Sequence, residues 1–211
     1  MQLSRLEEVA GANVSRETWA SVQNFIEMLL EENARQNLIS RSTEADIFER
    51  HIVDGAQLLP LAPSGSANWI DIGTGPGLPG IVLALLAPQA TFTLVEPRPL
   101  RIQFLERAVK ELRLDERVRL VEGKSHDVNG SFDVITGRAV ANLSKFLKIS
   151  HHLSTEKSVW VLPKGRKALD ELEEARRFWH LDHTIVPRVT DEDASIVRIT
   201  RATQRKRGGK K

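Results

Sequence analysis

A glycine-rich segment between two apolar runs constrains the fold of this chain more than any other feature. Residues 69–81 read WIDIGTGPGLPGI, with four glycines within eight positions. The first apolar run is typical of a buried strand and the second of a helix, and glycine lets a ligand approach the backbone closely. The segment therefore predicts the first strand–loop–helix unit of an open α/β sheet, where ligands bind beyond the carboxyl ends of the strands.

The pattern after this segment predicts how the sheet is completed. We expect strands near residues 68–72, 91–96, 118–121, 132–136, 158–162, 182–188 and 194–200. We expect helices near residues 79–87, 98–113, 140–152 and 166–179. Because no helix separates the last two strands, the order predicts an α/β fold with a seven-stranded, mostly parallel, doubly wound, Rossmann-like sheet that ends in a hairpin.

The residues before the sheet are predicted to be helical. Apolar side chains recur at three- and four-residue spacing over residues 1–58. Ser15 is a candidate N-cap for one helix, and Ser42 or Thr43 for a second long helix. We expect an N-terminal helical cap over 1–60 that packs on the core, a sheet domain over 61–200 and a basic, disordered tail over 201–211.

Composition excludes several functions. The chain has no cysteine, so disulfides, thiolate metal ligands and cysteine nucleophiles are excluded. The N-terminus does not resemble a signal peptide, and no apolar run approaches the roughly 18 residues of a membrane span. We therefore expect a cytoplasmic protein that does not associate with membranes.

The glycine loop is compatible with two cofactors, which its neighbours distinguish. Residues 75–80 fit G-x-G-x-x-G, the dinucleotide fingerprint. Pro76 and Pro79, however, remove amide donors from the turn that would hold a pyrophosphate, and Asp71 is an unfavourable neighbour for a phosphate. S-adenosylmethionine carries a sulfonium and an ammonium and no phosphate, so it fits both observations better.

The ends of the next two strands also favour a nucleoside cofactor. Glu96 ends the second strand, where a carboxylate can accept hydrogen bonds from both ribose hydroxyls. A surface acid that caps the following helix is the alternative. Ser125 and His126 follow the third strand and are candidate neighbours of the cofactor base.

Several short motifs occur in an order that resembles a known family. They are NLI at 37–39, HIVD at 51–54, DIGTGPGLPG at 71–80, Arg101 with FL at 104–105, and GRA at 137–139. Together they resemble the bacterial 16S rRNA guanine-N7 methyltransferases, the glucose-inhibited division protein B family. The resemblance implies a methyltransferase domain over 61–200, S-adenosylmethionine as cofactor, and 16S rRNA or the small ribosomal subunit as partner.

The resemblance and the motifs give a set of candidate site residues. Those expected at the cofactor are Asp71, Gly73, Thr74, Gly75, Gly77, Leu78, Glu96, Ser125, His126 and Arg138. Arg138, His51 and Asn37 are the candidates for a catalytic or positioning role. For Arg138, an ion pair with Asp71 or Glu96 is the structural alternative; for His51, it is a contact with Asp54 that fastens the cap to the sheet.

The expected chemistry requires few groups. Guanine N7 carries a free lone pair and no proton, so methylation there needs no general base. Catalysis can then consist mainly of positioning and electrostatics. His51 and Asp54 have no further ligand at metal-binding spacing, so no metal is expected.

A grip on RNA is predicted mainly at the end of the chain. The last eleven residues hold six basic side chains and no acid, which leaves 24 basic and 28 acidic side chains elsewhere. The candidates for phosphate contacts are Lys164, Arg166, Lys167, Arg205, Lys206 and Arg207, together with the arginines of residues 98–119. We expect a monomer. A small-molecule S-adenosylmethionine methyltransferase and a non-catalytic factor that binds S-adenosylmethionine or RNA remain alternative functions.

Overall fold

The computed structural model describes residues 1–205, and its centre is one seven-stranded sheet. The strands are β1 (Asn68–Ile72), β2 (Thr91–Glu96), β3 (Val118–Glu122), β4 (Val134–Thr136), β5 (Val159–Lys164), β6 (Trp179–Arg188) and β7 (Asp191–Gln204). Their order is β3-β2-β1-β4-β5-β7-β6, with β1 to β5 parallel and the β6–β7 hairpin antiparallel. The predicted fold class is confirmed.

The register brings the functional segments to one edge of the sheet. Asp71 of β1 pairs with Leu94 of β2 and with Thr136 of β4, so the carboxyl ends of these strands lie side by side. In the antiparallel pair of β5 and β7, Lys164 pairs with Ser195. The turn between β6 and β7 therefore also lies at this edge, close to the ends of the parallel strands.

Helices cover both faces of the sheet. They are α1 (Gln2–Ala10), α2 (Arg16–Gln36), α3 (Asp54–Ala56), α4 (Gly80–Leu86), α5 (Pro99–Glu111), α6 (Leu143–Ser150) and α7 (Ala168–Arg176). One apolar cluster joins the cap to α4 and α5, and a second lies against α6 and α7. The cap is also linked to α5 by an ion pair of 2.7 Å between Glu32 and Arg107.

The cap contains one of the two long helices that the sequence predicts. Ser15 caps α2 as expected, because its side chain accepts a hydrogen bond from the amide of Thr18. The prediction of a second long helix is wrong. Arg41–Thr43 form a single 3₁₀ turn, and Phe48–Val53 form a π-helix that continues into α3. Thr43 caps nothing here, since its hydroxyl donates to the carbonyl of Ser40.

The last two strands are longer than the sequence predicts. Trp179, expected at the end of a helix, begins β6 and is buried in the second apolar cluster. At the other end, β7 continues to Gln204, so the disordered tail predicted from residue 201 is wrong for its first four residues. Their backbone pairs with β6, which removes them from solvent-exposed coil.

No helix among residues 1–205 is long and apolar enough to cross a membrane.

Candidate functional site

The glycine loop between β1 and α4 is shaped by hydrogen bonds within the protein. Gly73, Gly75 and Gly77 have φ values of +68°, +62° and +91°, a region that favours glycine. The amides of Gly73 and Thr74 donate to the carbonyl of Val95. Those of Gly77 and Leu78 donate to the carbonyl of Thr74.

The two remaining amides of the loop donate to carboxylates. Gly75 donates to Glu96 over 2.9 Å, and Gly80 donates to Asp71 over 2.9 Å. Because Pro76 and Pro79 have no N–H, every amide between Gly73 and Gly80 is absent or already engaged. The loop thus offers no free amide cradle for a pyrophosphate.

Asp71 lies beneath the loop and holds it. Its Oδ2 accepts hydrogen bonds from the Thr74 hydroxyl (2.6 Å) and from the Gly80 amide, while its Oδ1 is buried without a partner. Burial raises the pKa of Asp71 to about 6, although both hydrogen bonds oppose the rise. Asp71 does not line the pocket described below, which assigns it to the support of the loop.

Glu96 stands at the end of β2 with only 3% of its surface exposed. Its Oε2 accepts from the Gly75 amide and its Oε1 from the Arg98 amide (3.1 Å). Each carboxylate oxygen can accept a further hydrogen bond, so the group retains acceptor capacity toward a ligand. The alternative of a surface acid is wrong, because Glu96 is buried in the wall of a pocket.

That pocket has a volume of about 630 Å³ and opens at the carboxyl edge of the sheet. The volume lies within the usual range of small-ligand sites. Eight of the ten cofactor candidates line it: Gly73, Thr74, Gly75, Leu78, Glu96, Ser125, His126 and Arg138. Asp71 and Gly77 lie outside the lining, and Gly77 is closed off because a Cβ there would meet Ile81 at 2.4 Å.

The loop after β4 forms the opposite wall of the pocket. Ala139 has a φ of +58°, uncommon for a residue with a side chain. Val140 follows, 37% exposed, and lies so close to Gly73 that a Cβ on this glycine would be 2.7 Å from it. The glycine at 73 therefore makes room for a side chain from the opposite wall.

Arg138 of this loop pairs with the cap. Its Nη1 lies 3.3 Å from Oδ2 of Asp54 and 3.2 Å from Nδ1 of His51. The alternative pairing with Asp71 or Glu96 is wrong, because the guanidinium points to the buried Asp54 carboxylate. Burial, together with the neighbouring Arg188, lowers the pKa of Arg138 against the effect of Asp54.

His51 is held neutral between two partners. Burial and the positive charge of Arg138 lower its pKa to about 4. Since Arg138 donates to Nδ1, the ring proton is on Nε2, which donates to the hydroxyl of Thr43 over 2.9 Å. The Thr43 hydroxyl donates its own proton to the Ser40 carbonyl, so it can accept the hydrogen bond from Nε2.

Several predicted residues do not reach the pocket. His51 and Asn37 are outside its lining; Asn37 is exposed at the end of α2 in the left-handed conformation, and its neighbour Leu38 lines the pocket instead. Lys164 is 9% exposed, and its ammonium donates to the Ala141 carbonyl and pairs with Glu171 at 3.0 Å. The prediction that Lys164 contacts RNA is therefore wrong.

The other predicted RNA contacts are distributed differently. Arg166 and Lys167 are exposed after β5, and Arg166 pairs with Asp193 at 3.2 Å. Arg205 donates from Nε to the Trp179 carbonyl, alongside the hairpin. Lys206 and Arg207 lie outside the described residues.

Four cationic residues line the pocket: Arg98, Arg101, Lys124 and Lys145. The arginines are among the predicted candidates for RNA contacts, but sequence reasoning missed the two lysines. Arg101 lies 3.9 Å from Glu96, and within residues 1–205 neither lysine forms an ion pair. The signal was their position just after predicted strands, where side chains reach the ligand edge. No group of three or more metal-binding side chains is found in the part of the chain that the structure describes.

The sheet order and the pocket define a Rossmann-like methyltransferase fold. Solved structures with this fold include an SAH-bound methyltransferase from Podospora anserina, which has 15% sequence identity and a TM-score of 0.61 over 83% of this chain and 86% of that one. A ribosomal protein L11 methylase from Lactobacillus delbrueckii has 16% identity and a TM-score of 0.56 over 72% and 78%.

The sequence comparisons are more specific. The GidB family model, described as rRNA small subunit methyltransferase G, matches residues 18–197. Proteins named ribosomal RNA small subunit methyltransferase G from Rhizorhabdus wittichii and Zymomonas mobilis are each 41% identical, over 93% and 94% of this chain and 92% and 93% of their own. This chain belongs to the GidB family of rRNA small subunit methyltransferases.

Proposed function

We propose that this protein transfers a methyl group from S-adenosylmethionine to N7 of a guanine in 16S rRNA, acting in the cytoplasm as a monomer. The observation that supports S-adenosylmethionine as the cofactor is the hydrogen bonding of the glycine loop. Because its amides are engaged or missing, the loop suits a ligand without phosphates, whereas a dinucleotide would need free amides there.

The pocket residues divide by the part of the cofactor they suit. Glu96 keeps acceptor capacity for the ribose hydroxyls, and Ser125 and His126 suit the adenine. Gly73, Thr74, Gly75 and Leu78 suit the methionine portion along the loop, and Arg138 suits its carboxylate. Asp71 and Gly77 maintain the shape of the loop from behind.

The cofactor supplies the methyl group, and the protein supplies geometry. When bound, S-adenosylmethionine would supply a methyl group from its sulfonium, with the S–CH₃ electron pair left on sulfur and the new bond made by the guanine N7 lone pair. No proton moves, so a neutral His51 outside the pocket is consistent with this chemistry. Arg138 is our candidate for orienting the base, because a guanidinium can donate to guanine O6 at the edge of the cofactor site.

We place the RNA contacts on the rim of the pocket. Lys124, Lys145 and Arg98 all line it and are exposed. Arg166 and Lys167, which follow β5 at the same edge of the sheet, are exposed as well, whereas Arg205 lies beyond the amino end of β5 at the opposite edge. Phosphates held by these side chains would bring a guanine to the pocket without sequence-specific contacts.

The test is methyl transfer with an identified product. The purified protein is incubated with methyl-labelled S-adenosylmethionine and small-subunit RNA from cells that lack this gene, both naked and as assembled subunits. We expect label in 7-methylguanine from at least one RNA form. Absence of label from both, with S-adenosylmethionine shown to bind, would overturn the proposal in favour of a small-molecule acceptor or a binding role.

A further inference from the structure

A buried carboxylate, Asp54, connects three distant parts of the chain. It belongs to α3 in the cap and is 1% exposed. Its Oδ2 accepts from Arg138, in the loop after β4. Its Oδ1 accepts from Arg188 and from the Thr190 hydroxyl at 2.7 Å, both at the β6–β7 turn.

The turn is held in this place by further contacts with the cap. Gln57 donates from Nε2 to Asp54 Oδ1 over 2.9 Å and accepts at Oε1 from the amide of Val189 over 3.0 Å. Arg50 donates to the carbonyl of Thr190 over 3.0 Å. The tip of the hairpin is thus fixed to the cap by both backbone and side chains, beside the only carboxylate that pairs with Arg138 among the described residues.

This cluster carries more positive than negative charge. Arg138 and Arg188 are both largely buried and share the single charge of Asp54. His51, the other neighbour of Arg138, is neutral and adds no negative charge. Arg188 donates from both Nε and Nη2 to Oδ1 of Asp54, the oxygen that also accepts from Thr190, so that Oδ2 is left for Arg138.

We propose that Asp54, oriented by Arg188 and Thr190 of the β6–β7 hairpin, is a positioning residue that sets the guanidinium of Arg138 in the pocket. The hairpin, which does not line the pocket, then contributes to methyl transfer through this relay. The inference rests on the proposed function, because it requires that Arg138 serve the reaction.

The test is a mutant cycle on methyl transfer. The variants are Arg188→Gln, Arg138→Gln and the double substitution, with Thr190→Val as a milder change that exchanges only a hydroxyl for a methyl group. We expect Arg188→Gln to lower kcat about tenfold, with a KM for RNA within about twofold of the original, since misplaced groups mainly lose rate. The double variant is expected to be no slower than Arg138→Gln, because the relay acts through Arg138.

Two controls separate positioning from folding. Arg198→Gln alters another half-buried arginine of the same hairpin, whose Nε donates to the Leu61 carbonyl away from Asp54, and should keep kcat. Arg188→Lys keeps the charge and should restore part of kcat. If Arg188→Gln does not fold by circular dichroism, Thr190→Val carries the same cycle with a smaller loss.

The outcomes distinguish this inference from the function on which it rests. Full activity of Arg188→Gln and Thr190→Val beside an impaired Arg138→Gln overturns the relay and leaves the proposed function standing. Losses that multiply in the double variant also overturn it. A wild-type protein without transferase activity, or a fully active Arg138→Gln, overturns the role of Arg138 and the inference together.

Discussion

Two buried acids at the pocket have different tasks, although both contact the glycine loop. Glu96 accepts a hydrogen bond from the Gly75 amide and lines the pocket, whereas Asp71 accepts from Thr74 and Gly80 and is outside the lining. The difference arises from their positions along neighbouring strands, since Glu96 is the last residue of β2 and Asp71 precedes the end of β1. Ligand affinity is therefore expected to depend on the first acid and loop stability on the second.

Replacement of Glu96 should weaken cofactor binding. In Glu96→Gln, an NH₂ group replaces one carboxylate oxygen, and this group cannot accept a hydrogen bond from a ribose hydroxyl. A hydrogen bond to a charged group contributes about 1.5–3 kcal/mol, so we expect S-adenosylmethionine affinity to fall roughly 10- to 100-fold by calorimetry. Glu122→Gln is the matched control, because Glu122 pairs in register with Glu96 on β3 but is exposed and outside the pocket lining. Equal affinities of the two variants would contradict the assignment.

Replacement of Asp71 should change how stability depends on pH. The folded protein raises the pKa of Asp71 from 3.8 to about 6, so the folded state binds the proton more tightly than the unfolded state. The contribution of Asp71 to the free energy of unfolding then falls as pH rises from about 4 to about 6, by roughly 3 kcal/mol. Denaturant unfolding of wild type and Asp71→Asn at pH 4 and pH 7 measures this. The stability of the wild type relative to the variant should decrease at pH 7, and a constant difference would refute the expectation.

At the residue scale, the sequence predicts end-of-strand positions better than partners. Glu96 and Ser125 are predicted because a strand end locates them along the chain. The partner of Arg138 could not be predicted, since Asp54 lies 84 residues away and the choice among three acids depends on how the cap docks. The burial of Lys164 could not be predicted either, because it depends on an ion pair with Glu171 of the next helix, α7.

Among the elements, the junction of the glycine loop with α4 is tightly packed. A Cβ on Gly80 would lie 2.4 Å from Leu94 and 2.9 Å from Oδ2 of Asp71. Gly80→Ala should therefore lower the free energy of unfolding by about 1–3 kcal/mol, the usual cost of overpacking. Gly165→Ala, at a site with open space around it, should change it by less than about 0.5 kcal/mol in the same denaturant titration. A stable Gly80→Ala would show that α4 can shift away from β2.

The elements of the sheet follow from pattern, but those of the cap do not. Alternating strand and helix signals predict the sheet because each has its own period. The segment from Arg41 to Ala56 has helical spacing, yet it forms a 3₁₀ turn and a π-helix before the short α3. In this segment His51 and Asp54 contact Arg138, and helix propensity takes no account of such a tertiary contact.

In the whole molecule, charge is organised around the mouth of the pocket rather than only at the end of the chain. Lys124→Ala with Lys145→Ala should weaken binding to 16S RNA and reduce the slope of log affinity against log salt by about 1 per lysine. Lys110→Ala with Lys157→Ala is the matched control, since both lysines are exposed at the opposite edge of the sheet. Equal salt slopes for the two double variants would remove the rim from the RNA interface.

The most direct measurement of the central claim uses RNA in which the proposed acceptor atom is missing. Small-subunit RNA is transcribed once with guanosine and once with 7-deazaguanosine, in which a C–H replaces N7 while O6 and base pairing remain. With labelled S-adenosylmethionine, the account predicts transfer to the guanosine RNA and none to the 7-deazaguanosine RNA, with similar binding of both. Equal transfer to the two RNAs would contradict methylation at guanine N7.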